Sequence, residues 1–317
     1  MSMLHASKAI EIVEVSPRDG LQNESRMLST HDKLELIDGV VVAGVRRVEV
    51  TSFVRPDVIP QLADAEEVMA GLNRVAGVTY TGLVLNRRGA ERALGAGVDE
   101  LNFVVPVTDE FASRNQGGAV DDCLRALEEV LIVADASRTP VTVTLAVAFG
   151  CPFRGEVSGG QVVSVARAAL ECGPVHELAL ADTIGSGVPV QVTELFGEMS
   201  ELTGLPLRAH FHDTRRTGLA NALAAIASGV RILDASAAGL GGCPFAPGAA
   251  GNVATEELLW LLGRSGFETG IDPLAVAAVG AAVCSRLGTS PRSWYERAEP
   301  FPALANGSTP PTQGARA

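Results

Sequence analysis

Strand-length apolar runs alternate with longer amphipathic stretches along most of this chain, and glycine, proline or polar turns separate them. The predicted strands cover residues 10–15, 45–51, 78–84, 99–105, 140–148, 176–181, 206–211 and 230–236. The predicted helices cover residues 30–43, 61–72, 88–95, 118–136, 159–172, 189–202, 215–228, 253–265 and 272–287. Eight successive strand–helix units are typical of one α/β architecture. We therefore predict a (β/α)8 TIM barrel with an extra C-terminal helix.

Residue types at the element ends refine this prediction. Thr30 is the predicted N-cap of the first helix, and Gly44 is predicted to end it. No periodicity joins the fourth strand to the helix at 118–136, so a long loop is predicted there. The alternative is a doubly wound open sheet, which needs a glycine-rich phosphate-binding turn after an early strand. No GxGxxG follows one here.

Composition bounds the class of protein. The chain has 317 residues, 47% of them hydrophobic, so one large domain over 1–298 can bury a sizeable core. Within it, the barrel is predicted to span residues 9–265. The tail at 299–317 is rich in Pro, Gly, Ser and Thr and is predicted to be mobile. A net charge of −12 argues against a general nucleic-acid binder, which would carry a basic face.

Cysteine usage and the N-terminal sequence predict a location. The five cysteines are widely spaced and form no CxxC, which is not a disulfide framework and suits a reducing compartment. Residues 1–8 lack the apolar core of a secretory signal, and no apolar run is long enough for a membrane span. We therefore predict a cytoplasmic protein without nucleic-acid or membrane partners.

Polar and ionisable residues collect at the predicted carboxyl ends of the strands. They are Arg18, Asp19, Glu49, Thr51, Ser52, Asn86, Asp182, Thr183, His210, His212, Cys243 and Asn252. Active sites of (β/α)8 barrels lie at the rim that these ends form. Chance would scatter polar residues over both rims, so the sequence predicts an active site at this one.

His210 and His212 provide a metal-binding signal. Side chains two residues apart on a strand point to the same face, so the two imidazoles can bind one ion. Asp19 and Asn252 would add a carboxylate and an amide oxygen, and this mixed nitrogen and oxygen set suits Mg²⁺ or Mn²⁺. Alternatives stay open, because Asp19 can cap a turn and Asn252 can be the N-cap of the helix that begins near Val253.

Three further residues at this rim suit chemistry. Arg18 is either a fixed cation that can stabilise an enolate oxygen or a surface arginine that pairs with an acid. Glu49 lies among valines in a strand, where a buried carboxylate needs a partner such as Arg18 or a histidine ligand. Cys243 lies in a segment rich in glycine and proline, which favours a shaped lid, and the alternative is a small apolar filler.

Four separated motifs carry a resemblance to a known family. They are Arg18-Asp19-Gly20-Leu21-Gln22-Asn23-Glu24, Glu49-Val50-Thr51-Ser52-Phe53-Val54, His210-Phe211-His212-Asp213-Thr214 and Gly239-Leu240-Gly241-Gly242-Cys243-Pro244. In this order they resemble the 3-hydroxy-3-methylglutaryl-CoA lyases, within a superfamily of metal-dependent TIM-barrel lyases that includes Claisen-condensing synthases. The resemblance runs from about residue 9 to about residue 288, and the cysteine motif points to the lyase branch.

This resemblance implies a function and a set of site residues. The implied reaction cleaves a 3-hydroxyacyl-CoA between C2 and C3, giving acetyl-CoA and a keto acid, with Mg²⁺ or Mn²⁺ as cofactor. The implied metal ligands are Asp19, His210, His212 and Asn252. Arg18 would stabilise the enolate, Cys243 would donate a proton, and Asp182 would be a candidate proton acceptor. Glu49 would support the metal site, and the predicted substrate-binding residues are Arg18, Gln22, Asn86 and Thr183. A homodimer is the expected assembly, because barrels of this kind commonly pair.

The chain departs from the usual pattern of this family at three places. Arg215-Arg216 stands where Tyr-Gly is usual, Ser25 where a basic residue is usual, and 105–110 where small residues and Ser-Glu are usual. We expect the same reaction on the parent substrate or on a related, larger or differently charged, 3-hydroxy-3-substituted acyl-CoA. Two alternatives are a condensing synthase, which typically has a further C-terminal domain, and an inactive barrel that acts as a scaffold.

Overall fold

The computed structural model describes residues 8–242 and 251–297, which form a closed barrel of eight parallel strands. The strands are β1 Glu11–Glu14, β2 Arg47–Ser52, β3 Thr79–Val84, β4 Glu100–Pro106, β5 Val141–Ala146, β6 Glu177–Asp182, β7 Leu207–Phe211 and β8 Ile232–Ala235. Each strand pairs with the next in the chain, and β8 pairs with β1 to close the barrel. The predicted (β/α)8 TIM barrel is confirmed.

Helices cover the outside of the barrel. They are α1 Thr30–Val42, α2 Ala65–Gly71, α3 Arg87–Gly95, α4 Asp109–Gln116, α5 Val120–Ser137, α6 Gly159–Glu171, α7 Pro189–Leu202, α8 Gly218–Ala227, α9 Thr255–Arg264 and α10 Pro273–Leu287. The predicted C-terminal helix is confirmed as α10, which packs against α1 and α9. None of the helices in the described part of the chain has the length and apolar composition of a membrane span. The tail at 299–317 lies outside the described residues, so its predicted mobility stays a prediction.

Helix α4 lies where a long loop is predicted from the sequence, and that prediction is wrong. Thr108 begins the helix, because its hydroxyl oxygen accepts a hydrogen bond from the backbone N–H of Phe111 at 3.3 Å. Gly117 ends it in a left-handed conformation, with φ of 80°. A helix of eight residues is too short for a hydrophobic period to stand out in the sequence.

Helix α1 is capped by Ser29 and not, as predicted, by Thr30. The Ser29 hydroxyl oxygen accepts a hydrogen bond from the backbone N–H of Asp32, and the Asp32 carboxylate accepts one from the backbone N–H of Ser29, both at 3.2 Å. Thr30 is the first helical residue, and its hydroxyl donates to Asp64 at 2.7 Å. Gly44 follows the helix with φ of 115°, as expected for the residue that ends it.

Charged side chains fill the amino end of the barrel interior. Arg47, Glu100 and Glu177 are the first residues of β2, β4 and β6, and alternate strands of such a barrel contribute side chains to one interior layer. Arg47 donates to Glu100 at 3.0 Å through Nε and to Glu177 at 2.8 Å through Nη1. All three residues are buried. The carboxyl end of the same interior holds a different set of polar residues beside a cavity.

Candidate active site

A π-helical turn at Ser16–Gly20 follows β1 and carries Arg18 and Asp19 over the carboxyl end of the barrel. The backbone N–H groups of Arg18 and Gly20 both donate to the carbonyl oxygen of Val15, at 3.2 and 3.1 Å. Arg18 is buried, with 8% of its surface exposed. It is therefore not the surface arginine of the alternative interpretation.

Two carboxylates fix the Arg18 guanidinium. Arg18 donates through Nε to Glu49 Oε2 and through Nη1 to Asp19 Oδ1, each at 2.7 Å. The other Glu49 oxygen accepts from Asn102 at 2.7 Å, and the Asn102 amide oxygen accepts from the Thr144 hydroxyl at 2.7 Å. Arg18 is thus the partner that the inward-facing Glu49 requires, and buried hydrogen bonds across β2, β4 and β5 hold the guanidinium in one orientation.

Asp19, His210 and His212 form a cluster in which one ligand atom from each residue lies within 4.8 Å of the others. The Nε2 atom of His212 lies 3.6 Å from Asp19 Oδ2. Burial opposes ionisation of Asp19, but the Arg18 charge and the nearby imidazole of His212 outweigh it and hold the pKa of Asp19 well below its usual value. Asp19 is therefore an anionic oxygen donor of the kind that Mg²⁺ and Mn²⁺ prefer.

Asn252 reaches this cluster from the connection between β8 and α9. Its Nδ2 donates to Asp19 Oδ2 at 2.7 Å and to the carbonyl oxygen of Leu240 at 3.0 Å. Its Oδ1 is buried and has no hydrogen-bond partner among the described residues. The alternative role as N-cap is excluded, because Ala254 holds that position of α9. A buried amide oxygen without a partner, next to a carboxylate and two imidazoles, fits a metal ligand.

Asp234, which is not among the residues predicted from the sequence, supports His210 from inside the barrel. Asp234 Oδ2 lies 3.0 Å from His210 Nδ1, and its Oδ1 lies 3.4 Å from Arg208 Nε. Burial opposes protonation of His210, but the hydrogen bond and charge of Asp234 outweigh it and raise the pKa of His210. Metal-binding histidines usually have such a carboxylate on the other ring nitrogen. The feature of the sequence that could have indicated Asp234 is a polar residue inside an apolar strand. Asn102 and Thr144 have the same feature.

The rim encloses a cavity of about 290 Å³. Asp19, His210 and His212 line it. So do the predicted substrate-binding residues Arg18, Gln22 and Thr183. The Thr183 hydroxyl oxygen accepts a hydrogen bond from the backbone N–H of Val147 at 2.9 Å, so its side chain is fixed. The apolar part of the lining includes Ile59, Leu83, Leu85, Val104 and Phe111. A cavity with one polar wall and one apolar wall suits a substrate of mixed character.

Four predicted site residues within the described structure do not line this cavity. Glu49 and Asn252 instead contact residues that do, namely Arg18 and Asp19. Asn86 is the N-cap of α3, where its Oδ1 accepts a hydrogen bond from the backbone N–H of Gly89 at 2.9 Å. Asp182 is buried at the end of β6, and its carboxylate accepts from the backbone N–H groups of Ser186 and Gly187 at 2.8 and 2.9 Å. Burial raises the pKa of Asp182. In this structure Asp182 therefore shapes the turn that follows β6.

Cys243 lies outside the described residues, as does the whole segment 243–250, so its catalytic role stays a prediction. Both ends of the segment lie at the rim. Gly242 lines the cavity. The carbonyl oxygen of Gly251 accepts a hydrogen bond from the backbone N–H of Asp213 at 3.0 Å. Gly242 and Gly251, which flank the segment, therefore lie close to the cluster of Asp19, His210 and His212.

Arg215 and Arg216, which depart from the usual pattern, do not line the cavity. Arg215 donates to the carbonyl oxygens of Ile184 and Gly185 at 3.2 and 2.8 Å. Arg216 has φ of 59° and pairs with Asp213 at 3.2 Å. Their substitution for Tyr-Gly therefore gives no direct contact with a molecule in the cavity.

The model of the family described as HMGL-like matches residues 9–283. The chain belongs to the HMGL-like family. A hydroxymethylglutaryl-CoA lyase from Pseudomonas mevalonii is 42% identical over 287 residues, which cover 90% of this chain and 95% of that protein. A 3-hydroxy-3-isohexenylglutaryl-CoA/hydroxy-methylglutaryl-CoA lyase from Pseudomonas aeruginosa is 40% identical over 288 residues, with 90% and 96% covered.

Solved structures of HMGL-like lyases share the fold as well as the sequence. An HMG-CoA lyase from Acinetobacter baumannii, in complex with coenzyme A and 3-methylmalate, superimposes with a TM-score of 0.89 at 38% identity. The match covers 95% of this chain and all of that one. The predictions of the family, of the barrel and of a carbon–carbon lyase are confirmed.

Proposed function

We propose that this HMGL-like lyase cleaves the C2–C3 bond of a 3-hydroxy-3-methylglutaryl-CoA-like substrate, giving acetyl-CoA and, for the parent substrate, acetoacetate. The observation that carries the proposal is the buried cluster of Asp19, His210 and His212 beside the fixed guanidinium of Arg18 at one cavity. The names of the relatives, and the coenzyme A and 3-methylmalate bound in the Acinetobacter structure, support this class of substrate.

Asp19, His210, His212 and Asn252 would hold the divalent cation, Mg²⁺ or Mn²⁺. The support is the donor set itself, which has an anionic oxygen, two imidazoles and an amide oxygen that lacks a partner among the described residues. The bound cation would lower the pKa of the substrate's tertiary alcohol. Asp234 would keep the His210 ring in place through its Nδ1 atom.

Arg18 would bind the thioester oxygen of the substrate. When the C2–C3 bond breaks, negative charge moves to that oxygen as the enolate of acetyl-CoA forms. Glu49 and Asp19 hold the guanidinium before the reaction begins, so little reorganisation is needed. Glu49 is then a positioning residue, because it acts through Arg18.

Two proton transfers would complete the reaction. Asp182 is the proposed acceptor of the alcohol proton, and burial raises its pKa towards the range that suits a general base. To act so, its carboxylate must give up a hydrogen bond from the turn that follows β6. Cys243 is the proposed donor of the proton that C2 receives. Gln22 and Thr183 would contact the acyl group, and Asn86 would contact the substrate from the neighbouring groove that it lines with Arg87.

A larger substituent at C3 is the second candidate for the acyl group. The observation that favours it is the apolar wall of the cavity, formed by residues such as Leu83, Val104 and Phe111. The Pseudomonas aeruginosa relative carries an isohexenyl group in the name of its substrate. An apolar wall of this kind would bury such a hydrocarbon chain.

A homodimer in the cytoplasm is the proposed assembly and location. Closed two-fold dimers are the commonest oligomers of soluble enzymes. The wide spacing of the cysteines suits a reducing compartment. The names of relatives include both cytoplasmic and mitochondrial lyases, so fractionation of the source cells is the test of location. Sedimentation of the purified protein would test the dimer.

An assay over several thioesters tests the proposed function. The purified chain, with Mg²⁺ or Mn²⁺, would be given 3-hydroxyacyl-CoA substrates with methyl, isobutyl and isohexenyl groups at C3, and release of acetyl-CoA would be measured. The highest kcat/KM for the methyl compound would support the first candidate. A higher kcat/KM for the compounds with longer groups would support the second. Metal-dependent cleavage of none of them contradicts the proposal.

The Cys243→Ser variant separates this function from its alternatives. Loss of roughly 10²–10⁴ in kcat is expected for a lyase that needs the thiol as an acid. A condensing synthase would instead join acetyl-CoA to a 2-oxo acid and tolerate the change. A scaffold protein would show no turnover with either set of substrates.

A further inference from the structure

Arg292 follows α10, and its side chain contacts backbone carbonyl oxygens at the carboxyl end of the barrel. Nη1 donates to the carbonyl oxygens of Gly239, at 3.3 Å, and Gly241. Nη2 donates to Glu24 Oε1 at 3.1 Å, and the backbone N–H of Arg292 donates to the carbonyl oxygen of Ala238 at 3.0 Å. One residue therefore joins the C-terminal segment to the connections that follow β8 and β1.

Gly239 and Gly241, whose carbonyl oxygens Arg292 contacts, have no side chains that could hold their backbone. Gly239 and Gly241 have φ of 64° and 110°, which favours glycine. A Cβ on Gly241 would lie 2.6 Å from Asn252 Nδ2, and one on Gly251 would overlap both carbonyl oxygens that Arg292 binds. The buried side chain of Leu240 anchors the middle of this turn, and the Arg292 guanidinium holds the carbonyl groups of the glycines on both sides of it.

Leu240 lies between the two glycines and connects their backbone to Asn252, a proposed metal ligand. Its carbonyl oxygen accepts from Asn252 Nδ2 at 3.0 Å. That hydrogen bond keeps the amide nitrogen occupied, while Oδ1 is left without a partner among the described residues. A shift of the Gly239–Gly241 backbone would therefore change the orientation of the Asn252 amide.

We infer that Arg292 is a positioning residue for the metal site, which holds Gly239–Gly241 so that Leu240 orients the Asn252 amide for the cation. This inference rests on the metal ligands proposed above. Glu24 fixes the guanidinium from the other side, and it is itself 8% exposed. The planar fork of arginine can reach Glu24 and two carbonyl oxygens together, which a lysine ammonium on the same backbone cannot do equally well.

The affinity for Mn²⁺ is the test, measured without substrate by titration of the free ion's electron paramagnetic resonance signal. In Arg292→Ala, the Kd for Mn²⁺ is expected to rise by about 10- to 100-fold, as for other residues that orient metal ligands. Arg292→Lys should lie between this variant and the wild type. Glu24→Gln should shift the Kd in the same direction and by less.

Arg286→Ala is the matched control. Its side chain is 36% exposed, compared with 38% for Arg292, and it also joins the C-terminal part to an earlier element, through Asp32 and Glu35. It has no contact with Gly239–Gly241 in the hydrogen bonds and ion pairs of the described chain. If Arg292 only joined the C-terminal part to the rest of the chain, Arg292→Ala and Arg286→Ala would lose stability equally and would not differ in metal affinity. We expect Arg286→Ala to keep its Kd for Mn²⁺ within about twofold of the wild-type value.

Equal Kd values for Mn²⁺ in Arg292→Ala and Arg286→Ala would overturn the inference. If Arg292→Ala does not fold, wild-type affinity in folded Arg292→Lys and Glu24→Gln would overturn it too. Asn252→Ala separates this failure from failure of the proposed ligands. Unchanged Mn²⁺ binding in Asn252→Ala refutes the proposed ligand set. Weakened binding in Asn252→Ala, together with normal binding in Arg292→Ala, refutes only the role of Arg292.

Discussion

The two ends of the barrel interior both hold buried charges, but they use them differently. At the amino end, Arg47 lies between Glu100 and Glu177, and its donors meet carboxylates. At the carboxyl end, Asp19 is paired, yet Asn252 Oδ1 has no partner among the described residues, and Asp19 lines a cavity. Buried charges that pair with one another leave nothing for a ligand, whereas a buried amide oxygen without a partner, close to a cavity, can bind an ion.

Asp234 connects the two ends. One carboxylate oxygen lies 3.0 Å from His210 in the site, and the other lies 3.4 Å from Arg208, which also approaches Glu177 of the amino-end layer at 3.4 Å. The ionic layer is therefore connected through Arg208 and Asp234 to the proposed metal site. We predict that changes at the carboxyl end affect catalysis, changes at the amino end affect stability, and changes at Asp234 affect both.

The largest effect on activity is expected for His212→Ala at the carboxyl end. Loss of this imidazole should lower kcat by roughly 10²–10⁴ because the cation and the alcohol would no longer be held correctly. Steady-state kinetics with saturating Mn²⁺ would measure it. His176→Ala is the control, since the exposed His176 side chain has one hydrogen bond in the described part of the chain, which it accepts from the backbone N–H of Val141. A kcat within about tenfold of wild type in His212→Ala would exclude it as a ligand.

The largest effect on stability is expected for Arg47→Met at the amino end. The change removes the cation that Glu100 and Glu177 share and leaves Glu177 only the more distant Arg208, which should cost about 3–5 kcal/mol in the free energy of unfolding. Urea denaturation would measure this, and the Kd for Mn²⁺ should stay within about twofold. Arg46→Met is the control, because within residues 8–242 and 251–297 the Arg46 side chain donates only to the backbone carbonyls of Val41 and Val45. Equal losses in both variants would show that the ionic layer contributes little.

An intermediate effect on both properties is expected for Asp234→Asn. The amide keeps the shape of the side chain but removes the charge that faces His210 and Arg208. The Kd for Mn²⁺ should rise by about 10- to 100-fold, with some loss of stability. Glu177→Gln is the matched variant, because Glu177 contacts Arg208 and Arg47 and has no contact with His210 among the ion pairs and hydrogen bonds of the described residues. If both variants changed metal affinity equally, the two ends would not be separable.

The smallest effect is expected for the pH dependence that Glu256 produces beneath the β8–α9 connection. Burial raises the pKa of Glu256 to about 7, and its carboxylate accepts from the backbone N–H of Ala238 at 3.1 Å. Between its unfolded pKa, near 4.5, and about 7, the folded state binds the extra proton. The free energy of unfolding should therefore fall as pH rises through this range, by of the order of 1–3 kcal/mol. Urea denaturation of Glu256→Gln should lack this fall, and an identical pH profile would contradict the assignment.

Much of the candidate site could be predicted because its residues share a position in each strand–helix unit. Arg18, Asp19 and His212 follow strands directly, so closure of the barrel brings them to one rim whatever the details of packing. Asn102 and Asp234 could not be placed in this way. They lie within strands, and the sequence alone does not tell which face of a fully buried strand points inward.

The sequence by itself determined the alternation of strands and helices, the rim that carries the chemistry and the family, since each depends on local pattern or on motifs in order. The tertiary structure decided which polar atoms pair and which are left over. Asn252 and Asp19 are hydrogen-bonded across a separation of 233 residues, and Arg292 and Glu24 across 268. Such pairs depend on the stagger at which the barrel closes and on the course of its loops, which are properties of the whole packed chain.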